Sequence, residues 1–361
     1  MINLEQYGFD PFFKNEFNKF QASGFEPGRI SAEDKQRYRV ITRHGEIPGE
    51  VTGKFLYDAD NSSAYPKTGD WVALMYFEEE NKCIIHNVLN RRSQFSRGKP
   101  GKEKGVQIIA ANIDYIFIVQ SVNSDLNINR LERYIVMAEE GNCSPVMLMN
   151  KNDLAENPEE LLHLVTKRTK DLPVFSISCE TGNGFDALKD FILPEKTYAL
   201  AGSSGVGKSS IINFLISRNL QKISGIRESD DRGRHTTTRR ELFLLPDGGI
   251  IIDTPGMREF ALADNNINAT EVFGDISDLA EECRYKDCSH IHEAGCAVIS
   301  AVQQGKIAND HYANYLKLKK ENEYYDSLID KNIYLERKKK EKRLHREIKR
   351  YFKGKKPGDK L

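Results

Sequence analysis

The 361-residue chain has no apolar run approaching the roughly 18 residues that cross a bilayer, which excludes an integral helical membrane protein. Its first residues, MINLEQYGFDPFFKNEF, lack the basic-then-apolar pattern of a secretory leader, so a cytoplasmic location with no membrane partner is expected. Cysteine is sparse, at six residues, and in a cytosolic chain these do not suggest a disulfide framework. Net charge is also absent, since 53 Lys and Arg balance 53 Asp and Glu. That balance hides an asymmetry. Lys331–Leu361 holds 14 Lys/Arg against 4 Asp/Glu, a net of +10, leaving −10 for the preceding 330 residues. A charge run of this kind is generally a solvated helical face; the sharper reading is an arm that meets phosphate.

The chain is long enough for two or three domains. Residues 1–35 form an N-terminal extension without clear pattern. From 36 to 105, short alternating runs (YRVITRHGEIPGEVTGKFL, DWVALMYF, KCIIHNVLN) separated by Gly, Asp and Asn turns predict a small OB-like β-barrel. QFSRGKPGKEKGVQ (94–107) reads as a basic, Gly-containing linker. From 106 to 262, strands YIFIVQSV, PVMLMNKND, PVFSIS, TYALAGSSG, ELFLL and GIIIDTPG alternate with helical stretches, predicting a doubly wound α/β domain of about six strands. Residues 263–320 turn helical and Cys-rich, and a basic helical tail follows over 321–361.

GSSGVGKS at 202–209 matches G-x-x-x-x-G-K-[ST], expected by chance in roughly one such chain in a hundred. An apolar strand precedes it and a helix follows, as a phosphate-binding loop requires. Gly202, Ser203, Ser204, Gly205, Val206 and Gly207 would cradle phosphate oxygens with backbone N–H groups, with Ser210 completing the nucleotide-contacting set. Lys208 would reach the β- and γ-phosphates as a catalytic cation, and the Ser209 hydroxyl would bind Mg²⁺. NKND at 150–153 matches Asn-Lys-x-Asp, a weaker signal that chance supplies in roughly one chain in twenty. Asp153 can accept two hydrogen bonds from guanine, a donor pair adenine lacks. Asn150 can tie this loop to the phosphate loop, and the Lys151 stem can cover the base. Ser178-Cys179 ends the next strand and resembles a guanine-contacting fifth motif. Asp253 of DTPG can hold Mg²⁺ through water, and Gly256 can give its N–H to the γ-phosphate. Between them lies DRGRHTTT (231–238), a Thr-rich switch candidate in which Thr237 or Thr238 would reach Mg²⁺.

Cys283, Cys288, His290 and Cys296 are spaced C-x4-C-x-H-x5-C. Three thiolates and one imidazole suit a closed, structural Zn²⁺ site with no open position for catalysis. His292 reads as a surface or supporting residue. A zinc nuclease or hydrolase is disfavoured, because no nearby general base stands out.

These motifs stand in the order 4-5-1-2-3, with a β-barrel before them and a Cys/His cluster after. Over about residues 36 to 320 the chain resembles the circularly permuted, ribosome small-subunit-dependent GTPases of the RsgA/YjeQ family. The resemblance implies an OB-fold barrel, GTP hydrolysis late in small-subunit maturation, and stimulation by the subunit and its rRNA. Many GTPases place Gln directly after D-x-x-G; here that position is Met257, and the resemblance points to His235 of GRHTTT for orienting the attacking water. The barrel, the basic linker and the tail are three places to meet RNA, and a monomer is expected. Two alternatives stay open: a GTP-dependent RNA-binding placeholder with little turnover, and a P-loop ATPase or kinase, which Asp153 disfavours.

Overall fold

The computed structural model describes residues 1–34, 37–53, 64–98, 106–122, 126–169, 172–220, 240–254 and 271–329. A 3-10 turn, Leu4–Tyr7, leads into α1 (Pro11–Gln21). Asp10 caps α1, its carboxylate accepting from the N–H groups of Phe12 at 3.0 Å and Phe13 at 3.2 Å, and Pro11 takes the first helical position. The helix lays Phe13 and Phe17 against Trp71 and Leu89 on the outside of a barrel.

That barrel is β1 (Glu26–Asp34), β2 (Arg37–Thr42), β3 (Gly45–Val51), β4 (Trp71–Phe77) and β5 (Lys82–Val88). The strands follow the order β1-β2-β3-β5-β4 and close by pairing β4 with β1. β3 and β5 run parallel and the other pairs antiparallel, the five-stranded OB arrangement. Ile30, Val40, Ile47, Val72, Leu74 and Ile85 fill it. Read from the sequence, the β pattern starts at 36; in the structure it starts at Glu26. EPGRISAED is poor in β-formers, so strand propensity gives no signal there. Pairing on both sides holds it instead, and Gly28 is required because a Cβ would come within 2.7 Å of Val40 and 2.6 Å of Leu74. The described ends of the stretch read as a linker are strands. β6 (Gln94–Gly98) and β7 (Val106–Ala111) form a two-stranded antiparallel ribbon.

All six strands expected in the α/β region are present: β8 (Tyr115–Ser121), β9 (Ser144–Asn150), β10 (Val174–Ser176), β11 (Thr197–Ala201), β12 (Arg240–Leu244) and β13 (Ile250–Asp253). Between them run α2 (Ile128–Glu140), α3 (Pro158–Thr169), α4 (Phe185–Phe191) and α5 (Lys208–Leu220). The order is β10-β9-β8-β11-β13-β12, parallel except for β12. Ile116–Val119 and Ile250–Ile252 are 0 % exposed, as near-continuous apolar strands covered on both faces must be. From α4 the chain enters β11 through Pro194–Lys196. Glu195 sits at φ +64° and donates its N–H to the Gly248 carbonyl at 2.8 Å, pinning this short joint to the β12–β13 turn.

The described C-terminal part comprises α6 (Gly274–Glu281), α7 (Ala297–Gln303) and α8 (Asn309–Ile329), the last crossing the expected boundary at 320/321. Its apolar residues Phe273, Ile276, Tyr315 and Leu318 join the core of α2, which supplies Leu131 and Ile135. β1 also pairs with β12, so barrel and α/β strands form one continuous eleven-stranded sheet.

Candidate nucleotide site and metal centre

The phosphate loop lies where the buried strand β11 gives way to α5. Gly202, Gly205 and Gly207 take φ values of +151°, +84° and +98°, conformations that exclude most side chains. Val206 is buried and anchors the loop, while Ser204, Gly205, Ser209 and Ser210 are exposed and Ser203 is half-buried. The first N–H groups of α5 have no carbonyl one turn back, which makes this end an anion cradle. Lys208 Nζ donates to the carbonyls of Gly202 and Ser203, both at 2.7 Å, and so lies folded over the loop.

Asn150 draws three loops together. Its Nδ2 donates to the Val206 carbonyl at 2.8 Å, and its Oδ1 accepts from Cys179 Sγ at 3.7 Å. Next to it Lys151, in the left-handed region at φ +62°, donates Nζ to the Gly205 carbonyl at 2.9 Å. The NKND turn, the Ser178-Cys179 turn and the phosphate loop therefore share one side of the sheet, at the C-terminal ends of β9, β10 and β11, where such sheets bind ligands. Asp153 is exposed beside this junction and lines an open cleft with Asn152, Thr181 and Asn183. Ser178 is fully buried; its hydroxyl accepts from the N–H groups of Glu180 and Thr181, both at 3.2 Å, and so builds the turn. Burial, with the nearby charge of Asp153, pushes the Cys179 thiol up to about 11, so it stays protonated as a donor.

Asp253 ends β13 nearly buried. Burial pushes its carboxyl up to about 6 despite the charge of Lys208, while burial lowers Lys208 despite Asp253. Thr254, which sequence reading passed over, is buried and donates its hydroxyl to the Leu200 carbonyl, stapling the end of β13 to β11. The Ser209 hydroxyl and the Asp253 carboxylate are hard oxygen donors of the kind Mg²⁺ takes, so the residues present suit that ion. His235, Thr237, Thr238 and Gly256 lie outside the described residues.

The Cys/His group is assembled as its spacing implies. The ligand atoms of Cys283, Cys288, His290 and Cys296 all lie within 4.8 Å of one another. Cys283 Sγ is 3.8 Å from Cys296 Sγ and 3.6 Å from His290 Nδ1, which is 3.5 Å from Cys296 Sγ. Tetrahedral Zn²⁺ bonds of about 2.3 Å to sulfur and about 2.05 Å to nitrogen put ligands roughly 3.8 Å (S···S) and 3.5 Å (S···N) apart, so the donor set fits Zn²⁺. The geometry also identifies Nδ1 as the facing nitrogen. Cys296 additionally caps α7, its sulfur accepting from the Ile299 N–H at 3.4 Å. His292 is exposed, as expected.

A permuted order of motifs, with a phosphate loop locked to an Asn-Lys-x-Asp turn, defines a circularly permuted GTPase. Known proteins agree with that class. A family model described as RsgA GTPase matches residues 88–263, and one described as 50S ribosome-binding GTPase matches residues 197–332. The small ribosomal subunit biogenesis GTPase RsgA 2 of Listeria monocytogenes is 41% identical over 324 residues, 90% of each chain. The RsgA of Leptospira interrogans is 37% identical over 354 residues, covering 98% of this chain and 97% of that one. Among solved structures, YjeQ from Thermotoga maritima superposes with a TM-score of 0.62 at 27% identity, covering 82% of this chain and 98% of that one. YloQ, described as a circularly permuted GTPase, shares the fold with a TM-score of 0.58. The chain belongs to the RsgA family of GTPases.

Proposed function

We propose that the chain hydrolyses GTP in the biogenesis of the small ribosomal subunit, binding the subunit and its rRNA and being stimulated by them. The observation that supports the nucleotide half is the Asn150 junction, which joins the Asn-Lys-x-Asp turn to the phosphate loop. The partner half rests on relatives named for the small subunit that align over 90–98% of the chain, whereas the 50S-labelled model spans only 197–332.

In this reading Asp153 accepts from guanine and the Lys151 stem covers the base. The first turn of α5 and Lys208 hold the β- and γ-phosphates. Ser209 and Asp253, with Thr237 or Thr238, would hold Mg²⁺, which would withdraw charge from the phosphate oxygens. Gly256 gives its N–H to the γ-phosphate. His235, as a neutral imidazole, accepts from the attacking water, a task Met257 cannot perform. Zn²⁺ on Cys283, Cys288, His290 and Cys296 is structural. The basic tail and the barrel meet rRNA, and the protein works in the cytoplasm as a monomer.

The catalytic part is tested with His235→Ala. GTP affinity should stay within about twofold of wild type, while turnover in the presence of small subunits falls by roughly a hundredfold or more. Full stimulated turnover in that variant contradicts the role of His235.

A further inference from the structure

The turn that carries His290 is short and poorly packed. Ile291 is 61 % exposed and His292 is exposed, so apolar burial does little to hold it. His290 itself stands at φ +64°, in the left-handed region that a residue with a Cβ keeps only when its surroundings fix it there. Polar contacts supply that constraint.

The Glu293 carboxylate acts from inside the turn. Its Oε1 accepts from the Ser289 N–H at 2.9 Å and from the Ser289 hydroxyl. Its Oε2 accepts from the N–H groups of Ile291 at 3.1 Å and His292 at 3.2 Å. Backbone N–H groups of the turn thus converge on one anion, as in a nest. An ionised carboxylate only accepts, at roughly four lone-pair sites, so it matches this donor set. From outside, the Tyr312 hydroxyl on α8 donates to the His290 carbonyl. Neither Glu293 nor Tyr312 belongs to the ligand set. Between them, His290 presents Nδ1 to the sulfurs of Cys283 at 3.6 Å and Cys296 at 3.5 Å. The residue before Tyr312, His311, pairs with Glu132 of α2 at 2.7 Å, so the turn of α8 that holds His290 is itself fixed to the α/β region.

We propose that Glu293 and Tyr312 are positioning residues for Zn²⁺. The carboxylate shapes the 289–292 turn before the metal arrives, and the hydroxyl anchors that turn to α8, so His290 completes the ligand set without rearrangement. The inference rests on the zinc reading of the Cys/His group. A turn already in its bound shape raises metal affinity, because binding does not have to order it. Outer partners that orient metal ligands contribute about ten- to a hundredfold in affinity.

The test uses the full chain as wild type, Glu293→Gln, Tyr312→Phe and Asp287→Asn. A glutamine amide keeps one acceptor oxygen but sets an NH₂ donor against N–H groups, so part of the nest is lost. Asp287 is exposed between Cys283 and Cys288 and makes none of these hydrogen bonds, so its variant removes the same charge and leaves the turn alone. Zn²⁺ affinity is read by competition with a chromogenic chelator. Ligand geometry is read from the visible d–d bands of the Co²⁺-loaded protein, and folding from far-ultraviolet circular dichroism of the metal-free protein. In Glu293→Gln, Zn²⁺ affinity should fall about tenfold or more, with the Co²⁺ bands still tetrahedral and the dichroism unchanged. Tyr312→Phe should lose about threefold or more. Asp287→Asn should stay within about twofold of wild type. Wild-type Zn²⁺ affinity in Glu293→Gln overturns the proposal. So does an equal loss in Asp287→Asn, which would make the effect one of charge alone. If Glu293→Gln does not fold, Tyr312→Phe decides, and wild-type affinity there overturns it. A wild-type chain that takes up no Zn²⁺ would refute the zinc reading itself; one that binds Zn²⁺ no tighter than Glu293→Gln refutes this inference alone.

Discussion

Gly207 has no room for a side chain, because a Cβ there would stand 2.2 Å from Asn150 Nδ2. The motif glycine and the motif asparagine thus explain each other, although 57 positions separate them. Their spacing from each other carries no signal; each is legible only as part of its own short pattern. Ser178 is legible in position, but its hydroxyl builds a turn, a role that depends on the fold of residues 178–183. At this scale the sharpest prediction concerns Asp153. Replacing Asp153 by Asn exchanges an acceptor for a donor, so selectivity should move from guanine toward xanthine nucleotides by roughly a hundredfold or more. Competition of GDP and XDP for the variant measures this, and unchanged guanine preference contradicts the base-reading role.

Among the elements, the strands of the α/β region are the most legible, because buried parallel strands are written as continuous apolar runs. β1 is not, since pairing rather than propensity makes it a strand. The docking of the C-terminal helices is equally hidden. On α2, Glu132 is 0 % exposed and accepts from Arg168 at 2.6 Å and Asn314 at 2.6 Å, and it pairs with His311 at 2.7 Å. His311 also faces Asp275 at 3.2 Å and stacks on Phe273, while Asp310 pairs with Arg168 at 3.0 Å. The partners lie far apart in sequence, and no local pattern announces them. Burial disfavours the charged imidazole, but Asp275 and Glu132 outweigh burial and raise His311 to about 9. The folded pKa exceeds the unfolded value near 6.5, so this stabilisation is complete below about pH 6.5 and lost as pH rises through about 9. Urea unfolding followed by far-ultraviolet circular dichroism should show stability falling over that window. In His311→Gln the fall should be absent. Equal pH dependence in both proteins contradicts the charged cluster.

At the scale of the whole molecule, the joint Pro194–Lys196 connects α4 to β11, and β13 is the last strand of the α/β region. A circular permutation can keep the contacts between strands while changing connectivity, a rearrangement folds tolerate where ends lie close. The order of the motifs along the chain is enough to reveal this permutation. The joining of barrel and α/β strands into one sheet is hidden from it, because that depends on the two-residue pairing of β1 with β12. The central claim is that this assembly couples GTP hydrolysis to the small ribosomal subunit. The most direct test is steady-state GTP hydrolysis by the full chain with and without purified small subunits, over a series of salt concentrations. Subunits should raise turnover by roughly tenfold or more, and the rise should shrink steeply with salt, as contacts to rRNA phosphates demand. Equal turnover with and without subunits at every salt concentration would contradict the account.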